Sequence, residues 1–245
     1  MLCGPILARV PIVLRPTAPV AADALLPGDP GRALALAQAL LTEPRMSNHA
    51  HGLWGYSGET AAGRPLTIQA TGIGGPSAAL VLGDLAELGV RRAVRVGTCV
   101  GLVGDIALAD TVLCERALAA DGTSRALGAA GAALPDAALA RALLTAAAGA
   151  ARMEPVASAD VIHADGAAAD GVPAERRREW IDAGAVAVEM QAATLFALGA
   201  RLGVAIACLL VVSDLAGERG RQLGEAELEA AALAGARLAE RALAL

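Results

Sequence analysis

Lysine is missing from this 245-residue sequence, so every permanently charged basic side chain is an arginine. Aromatic residues make up only 2%, and the core must therefore be built from the aliphatic side chains that dominate the 56% hydrophobic fraction. The net charge is -5 and the arginines form no block, so the chain lacks the electrostatic footprint of a nucleic-acid-binding protein. This composition does not exclude binding of a small anionic ligand, because a few local arginines are enough to bind one.

Further absences concern disulfides, metals and membranes. The cysteines lie far apart without a CxxC pair, which argues against a disulfide framework or a zinc site and favours a reducing, cytoplasmic location. They are Cys3, Cys99, Cys114 and Cys208. His49 and His51 have no evident third ligand, so no metal site is predicted. The apolar runs near the N-terminus are short and broken by prolines, and we expect neither a signal peptide nor a membrane span.

Short apolar runs typical of β-strands alternate with segments rich in alanine and leucine that are typical of helices. This alternation predicts an α/β protein with a mostly parallel sheet wrapped by helices. No repeat or linker divides the chain, so residues 1–245 are predicted to form one domain. The predicted strands are 24–26, 66–70, 93–96, 111–114, 185–188 and 205–212, the predicted helices are 32–41, 77–88, 139–148, 191–202 and 225–245, and the alanine-rich stretches 117–150 and 164–175 are interpreted as surface helices and loops.

Two predicted strand ends carry arginines that suit an anion. Gly28 and Arg32 belong to the segment PGDPGR, where a glycine turn leads into a helix whose first N–H groups favour negative charge. Arg95 lies inside an apolar strand, where a guanidinium is costly unless it is paired or faces a ligand, and Thr98 follows where that strand stops. An ordinary strand-to-helix turn and a buried structural ion pair are the competing interpretations.

Acidic residues follow two other predicted strands. Glu189, Met190 and Gln191 stand at a strand-to-helix junction, where a carboxylate and an amide could hold vicinal hydroxyl groups. An acid that satisfies the free N–H groups of the helix is the alternative interpretation. Asp214 ends the strand 205–212, and a partly desolvated aspartate can keep a proton near neutral pH and act as a general acid. A simple helix cap or loop acid is the alternative there.

Taken in order, these segments resemble the purine nucleoside phosphorylase and uridine phosphorylase family. The matching segments are PGDPGR at 27–32, GLWGYSG at 52–58, TGIGGPS at 71–77, DLAELGV at 84–90, RVGTC at 95–99, SAD at 158–160, VEMQAATLFAL at 188–198 and VVSD at 211–214. The resemblance implies one α/β domain with a central mixed sheet, assembled into dimers or hexamers. It also implies phosphorolysis of a nucleoside to free base and ribose 1-phosphate, with inorganic phosphate as co-substrate and no cofactor.

The resemblance assigns roles to individual residues. Bond breaking would build positive charge on the sugar and negative charge on the base, and Asp214 falls on the acid that protonates a purine at N7. Arg219 or Arg221 could assist it. The phosphate positions fall on Gly28, Arg32, Arg95 and Thr98, the ribose positions on Glu189 and Met190, and the expected base-binding residues are Cys99, Val100, Ile162 and Ser213.

Several positions differ from the family pattern. Gln191 stands where the family ends its ribose motif in glutamate, and His51 stands where a neighbouring subunit normally gives an arginine to the phosphate. Val13 replaces an N-terminal histidine that reaches the 5′-hydroxyl, Ile162 replaces an aromatic residue under the base, and Val100 replaces a pocket glycine. We therefore expect His51 to complete the phosphate site of a neighbouring subunit and Gln191 to bind ribose hydroxyls more weakly than a carboxylate would.

The choice of base and of reaction follows from two further observations. Asp214 favours a purine, and the sequence HADG at 163–166 lacks the Gln/Arg pair with which uridine-type enzymes read pyrimidines. We therefore predict a purine nucleoside phosphorylase. Two alternatives stay open: a nucleosidase of the same fold that uses water as nucleophile, and a catalytically weak nucleoside-binding protein.

Overall fold

The computed structural model describes residues 11–162, 174–216 and 222–245. In these ranges the strands are β1 (Asp23–Pro27), β2 (Leu41–Asn48), β3 (Gly55–Thr60), β4 (Pro65–Gln69), β5 (Arg92–Gly101), β6 (Thr111–Ala119), β7 (Ala132–Ala133), β8 (Arg152–Ser158), β9 (Ala187–Glu189) and β10 (Ala205–Leu215). The α-helices are α1 (Pro30–Leu40), α2 (Gly74–Glu87), α3 (Gly122–Ala126), α4 (Ala137–Ala147), α5 (Ala174–Asp182), α6 (Ala192–Leu202) and α7 (Glu225–Ala242), and a 3-10 turn covers Ala50–Gly52.

All ten strands of the described ranges belong to one mixed sheet. β1 lies between β4 and β5 and runs parallel to both, and β5 also runs parallel to β10. On one side, β5, β9, β8, β6 and β10 close into a ring, because β10 pairs with both β6 and β5. On the other side, β4, β3 and β2 form an antiparallel ribbon. The predicted α/β class with a central mixed sheet and flanking helices is confirmed.

The strands that the sequence analysis did not predict lie mainly at the edge of the sheet. β2 and β3 are rich in polar residues. β2 is the last strand of the ribbon, and four of its eight residues are exposed. Pro44 would weaken a central strand, but here it falls within the register shift between Thr42 and Arg45, where no ladder bond is lost. Within the alanine-rich stretch 117–150, β6 ends at Ala119 and the helix α4 follows at Ala137.

The core has two apolar layers, one on each face of the sheet. Helices α2 and α6 pack together on one face, and α1, α4 and α7 pack on the other. Successive residues of β5 serve the two layers in turn, as Ala93 contributes to the first and Val94 to the second. The single phenylalanine, Phe196, is buried in the first layer, and apart from three cysteines the rest of that layer is aliphatic, as the composition required.

The parallel strands bring four chain segments to one edge of the sheet. β1, β4, β5 and β10 all run in the same direction, so their carboxyl ends meet there. Ligands of α/β proteins bind at such an edge, because the loops that leave it carry free backbone groups and helix N-termini. No helix in the described ranges is long and apolar enough to span a bilayer.

Candidate active site

A cleft of about 440 Å³ opens at this carboxyl edge. Most of the residues that the sequence analysis singled out line it, although they come from distant parts of the chain. They are Gly28, Arg32, His51, Arg95, Thr98, Ile162, Glu189, Met190 and Gln191, with Asp29, Pro30, Gly52, Leu53, Gly72, Ile73, Gly74 and Gly97 between them. A second cavity of about 510 Å³ lies beside β2 and β3 at the far edge of the sheet, and none of these residues reaches it.

The turn between β1 and α1 supplies an unpaired cation to the cleft. Asp29 caps α1, since its Oδ1 accepts a hydrogen bond of 2.7 Å from the Arg32 backbone N–H, and Pro30 at the first helical position has no N–H to satisfy. In the part of the chain that the structure describes, no atom accepts a hydrogen bond from the Arg32 guanidinium. Desolvation lowers the pKa of Arg32; Asp29 opposes this effect, and the nearby Arg95 adds to it. An anion would relieve both the desolvation and the repulsion.

Arg95 is held more tightly than Arg32. Its side chain is 6% exposed, its Nε donates to Glu189 Oε2 at 3.1 Å, and its Nη1 donates to Gln191 Oε1. The guanidinium lies across Gly97, where an added Cβ would come within 2.8 Å of Cζ, so a glycine is required at this position. Both interpretations of Arg95 therefore describe the molecule, because a buried ion pair fixes a guanidinium that lines the cleft.

Glu189 ends β9, and both oxygens of its carboxylate accept hydrogen bonds from the protein. Its Oε1 accepts hydrogen bonds from Ser158 Oγ at 2.5 Å, from the Ala192 N–H at 2.7 Å and from the Gln191 N–H at 2.9 Å. Its Oε2 accepts from Arg95 Nε and from the Gln191 N–H. The carboxylate thus satisfies the first N–H groups of α6, as the alternative interpretation of this residue expected, and it lines the cleft as well.

Gln191 lies directly before α6, and its side-chain amide is also fully hydrogen-bonded within the protein. Its Oε1 accepts from Thr71 Oγ1 at 2.8 Å and from Arg95 Nη1. Its Nε2 donates to the Gly72 carbonyl at 2.9 Å and to the Gly74 carbonyl at 3.2 Å. Sequence analysis gave the segment 71–77 only as one of those that match the family, and the one signal for this contact was that Thr71 directly follows the predicted strand 66–70.

The expected base-binding residues divide into two groups. Ile162 lines the cleft, whereas Cys99, Val100 and Ser213 do not. Cys99 belongs to the core layer beneath α2 and α6, where burial raises the pKa of its thiol, and Val100 packs against the cluster around Trp180. Cys99 does not line the cleft because successive residues of a strand point to opposite faces, so its side chain faces away from the side on which Thr98 lies.

Asp214 also lies off the lining of the cleft, at the same edge of the sheet. β5 and β10 pair in register up to Cys99 and Val212, and a register shift then sets Asp214 opposite Val100. Its Oδ2 accepts a hydrogen bond of 2.6 Å from Ser213 Oγ. Arg219 and Arg221, either of which was expected to assist Asp214, lie outside the described residues, as does the HADG segment at 163–166.

His51 lies at the cleft of its own chain. The structure places it on the lining of its own chain's cleft, in the 3-10 turn, with a left-handed φ of 55°. The short turn between β2 and β3 returns the chain to the carboxyl edge, so a single chain already brings this imidazole to the cleft. No group of three or more potential metal-binding side chains occurs in the described ranges.

Comparison with known proteins agrees with this arrangement. Residues 23–245 match the family described as the phosphorylase superfamily. A purine nucleoside phosphorylase DeoD-type from Clostridium novyi is 32% identical over 196 residues, covering 80% of this chain and 83% of the relative. Proteins of the same description from Clostridium perfringens and Alkaliphilus metalliredigens are 34% and 32% identical, each over 80% of this chain and over 82% and 83% of their own length. The chain belongs to the phosphorylase superfamily.

Proposed function

We propose that the protein catalyses phosphorolysis of purine nucleosides to free base and ribose 1-phosphate. The observation that carries the proposal is the Arg32 guanidinium, which has no hydrogen-bond partner among the described residues and lies beside the buried Arg95 at the N-terminus of α1. Two guanidiniums and a helix N-terminus form a site for a doubly charged anion such as phosphate. The purine follows from the names of the relatives, and the reaction needs phosphate as co-substrate and no cofactor.

Each group has a defined task in this proposal. Arg32, Arg95, the Thr98 hydroxyl and the Gly28 N–H hold phosphate so that one oxygen can attack C1′ of the sugar. The bond from C1′ to the base breaks as the new C1′–O bond forms, and the electron pair of the broken bond stays with the base. Asp214 delivers a proton to N7, which neutralises the leaving purine. Met190 contributes an apolar surface for the sugar.

Assembly and location belong to the proposal as well. We infer a homo-oligomer, a dimer or a hexamer, in the cytoplasm. Large apolar side chains support a subunit contact near the cleft, since Ile73 on its rim is 83% exposed and Leu80 on α2 is 43% exposed. Sedimentation equilibrium measures the subunit number directly, and a monomer at micromolar concentration would contradict the inference.

The test is a phosphate-dependence assay on inosine, adenosine, guanosine and uridine. We expect release of purine bases only when phosphate is present, with one ribose 1-phosphate formed per base and little reaction of uridine. Equal base release without phosphate, with free ribose as product, would identify a nucleosidase instead. Saturable nucleoside binding without turnover under either condition would identify a binding protein.

A further inference from the structure

The amide of Gln191 has no bonding capacity left for a ligand. A glutamine side chain offers two lone pairs on oxygen and two protons on nitrogen. The oxygen accepts from Thr71 Oγ1 and Arg95 Nη1, and the nitrogen donates to the carbonyl oxygens of Gly72 and Gly74. The residue is 1% exposed, so turning the amide towards the cleft would break these four hydrogen bonds away from bulk water.

These partners also favour an amide at residue 191. The guanidinium of Arg95 can only donate and the carbonyls of Gly72 and Gly74 can only accept, so the amide serves them in only one orientation. A carboxylate would set an oxygen against the two glycine carbonyls. Holding buried acceptors face to face with no donor between them is costly.

What the amide holds in place is the anion end of the cleft. Arg95 is fixed through two of its nitrogens, Nε on Glu189 and Nη1 on Gln191, which sets the plane of the guanidinium. The same amide ties down the 72–74 turn, whose residues line the cleft. A guanidinium recognises phosphate through its fixed planar geometry, so its orientation governs the affinity.

We propose that Gln191 is a positioning residue for the phosphate site and does not bind the sugar hydroxyls. It acts by holding Arg95 and the 72–74 turn in the geometry that accepts the anion. The proposal rests on the proposed function for its kinetic readout, and it departs from the expectation that Gln191 is a ribose ligand. Loss of the amide should therefore weaken phosphate binding and affect all nucleosides equally, whatever hydroxyl groups they carry.

The test compares Gln191→Met with the wild type on inosine and on 2′,3′-dideoxyinosine. Methionine keeps the length of the side chain and removes the amide. We expect the KM for phosphate to rise by about tenfold or more, as for loss of a hydrogen bond to a charged group, with kcat/KM reduced by the same factor for both nucleosides. Gln38→Met, an exposed position on α1, serves as control. An unchanged phosphate KM, or a loss confined to inosine, would overturn the proposal.

Two further measurements distinguish failure of this proposal from failure of the variant to fold and from failure of the proposed function. Calorimetric titration with inorganic phosphate needs no turnover, so weaker binding by Gln191→Met supports the inference even if the wild type cleaves no nucleoside. If Gln191→Met does not fold, Thr71→Val removes one hydrogen bond to the same amide from a buried residue outside the cleft lining. A several-fold higher phosphate KM in Thr71→Val supports the proposal, and a wild-type value contradicts it.

Discussion

Two strand-to-helix turns line the same cleft, and they use their polar groups in opposite ways. In the β1–α1 turn, Asp29 caps the helix while the Arg32 guanidinium has no hydrogen-bond partner among the described residues. In the β9–α6 turn, every polar atom of Glu189 and Gln191 is bonded to the protein. Arg95 joins the two turns, because it is fixed by the second and faces the same cleft as Arg32.

The difference shows that the β9–α6 turn supports the fold and positions Arg95, whereas the β1–α1 turn offers a guanidinium to a ligand. A buried polar group with all its bonds made within the protein supports the fold, and its loss leaves partners unsatisfied. A half-buried charge without a partner adds little to stability, but it can bind a ligand of opposite sign. Substitutions in the β9–α6 turn should therefore lower the free energy of unfolding and also weaken phosphate binding through Arg95, whereas substitution of Arg32 should change phosphate binding alone.

The largest effect is expected at a residue that belongs to neither turn. If Asp214 donates the proton to the leaving purine, Asp214→Asn should lower kcat on inosine by about 10²- to 10⁴-fold, as for loss of a general acid. Steady-state kinetics would show a much smaller change in KM. Asp182→Asn, at an exposed position ending α5, is the control. Near-normal turnover of Asp214→Asn would show that another group protonates the leaving purine.

The next effect concerns stability. Glu189→Leu leaves the buried Arg95 charge without its partner, and we expect the free energy of unfolding to fall by about 3–5 kcal/mol. Urea denaturation measures this change. The double variant Arg95→Met, Glu189→Leu removes both charges and should regain part of the loss, because paired charges exchanged for apolar groups are often tolerated. A single variant as stable as the wild type would show that the β9–α6 turn does not support the fold.

Arg32→Met should show the reverse behaviour. We expect the phosphate KM to rise by about 10- to 100-fold, as for loss of a charge-assisted bond of about 1.5–3 kcal/mol. The free energy of unfolding should stay within about 0.5 kcal/mol of the wild type, since the Arg32 guanidinium gives up no hydrogen bond to the described part of the chain. Arg141→Met, an exposed position on α4, controls for loss of one positive charge. A large loss of stability in Arg32→Met would contradict the claim that the β1–α1 turn uses Arg32 for binding and not for stability.

The smallest effect is expected at His51. An imidazole carries a full positive charge only in acid, whereas a guanidinium is charged at every working pH. His51→Arg should therefore lower the phosphate KM by a few fold at pH 8. In mixed oligomers of His51→Arg subunits and inactive Asp214→Asn subunits, only the sites of the His51→Arg subunits turn over, so a lowered KM would show that residue 51 serves its own subunit's site and a wild-type KM that it serves the neighbour's. A phosphate KM unchanged in the pure His51→Arg variant would remove His51 from the phosphate site.

Much of the fold could be predicted because its central strands are apolar and its helices are rich in alanine and leucine. The strands β2 and β3 could not, because both are rich in polar residues; β2 pairs only with β3, and β3, although mostly buried, has the sequence GYSGET with no apolar run. The common edge of the site was also predictable, since parallel strands bring their carboxyl ends to one edge, and Gly28 follows β1 while Thr98 and Asp214 lie near the ends of β5 and β10.

The bonding of the site could not be predicted from residue types. Gln191 suggests a hydroxyl-binding amide until its four partners are known, and those partners lie 96 to 120 positions away in the sequence. The position of Asp214 depends on a register shift after Val212, which no pattern of apolar residues reveals. Hydrogen-bond saturation is a property of the folded arrangement, and it decides which candidate residues are free to bind.

The central claim is that an anion occupies the cleft between Arg32 and Arg95, and a crystal structure with inorganic phosphate tests it most directly. We predict that phosphate oxygens lie about 2.7–2.9 Å from nitrogens of both guanidiniums, with Glu189 and Gln191 unmoved. The account would be contradicted if phosphate at a concentration well above its KM left the cleft empty, or bound there without contacting Arg32.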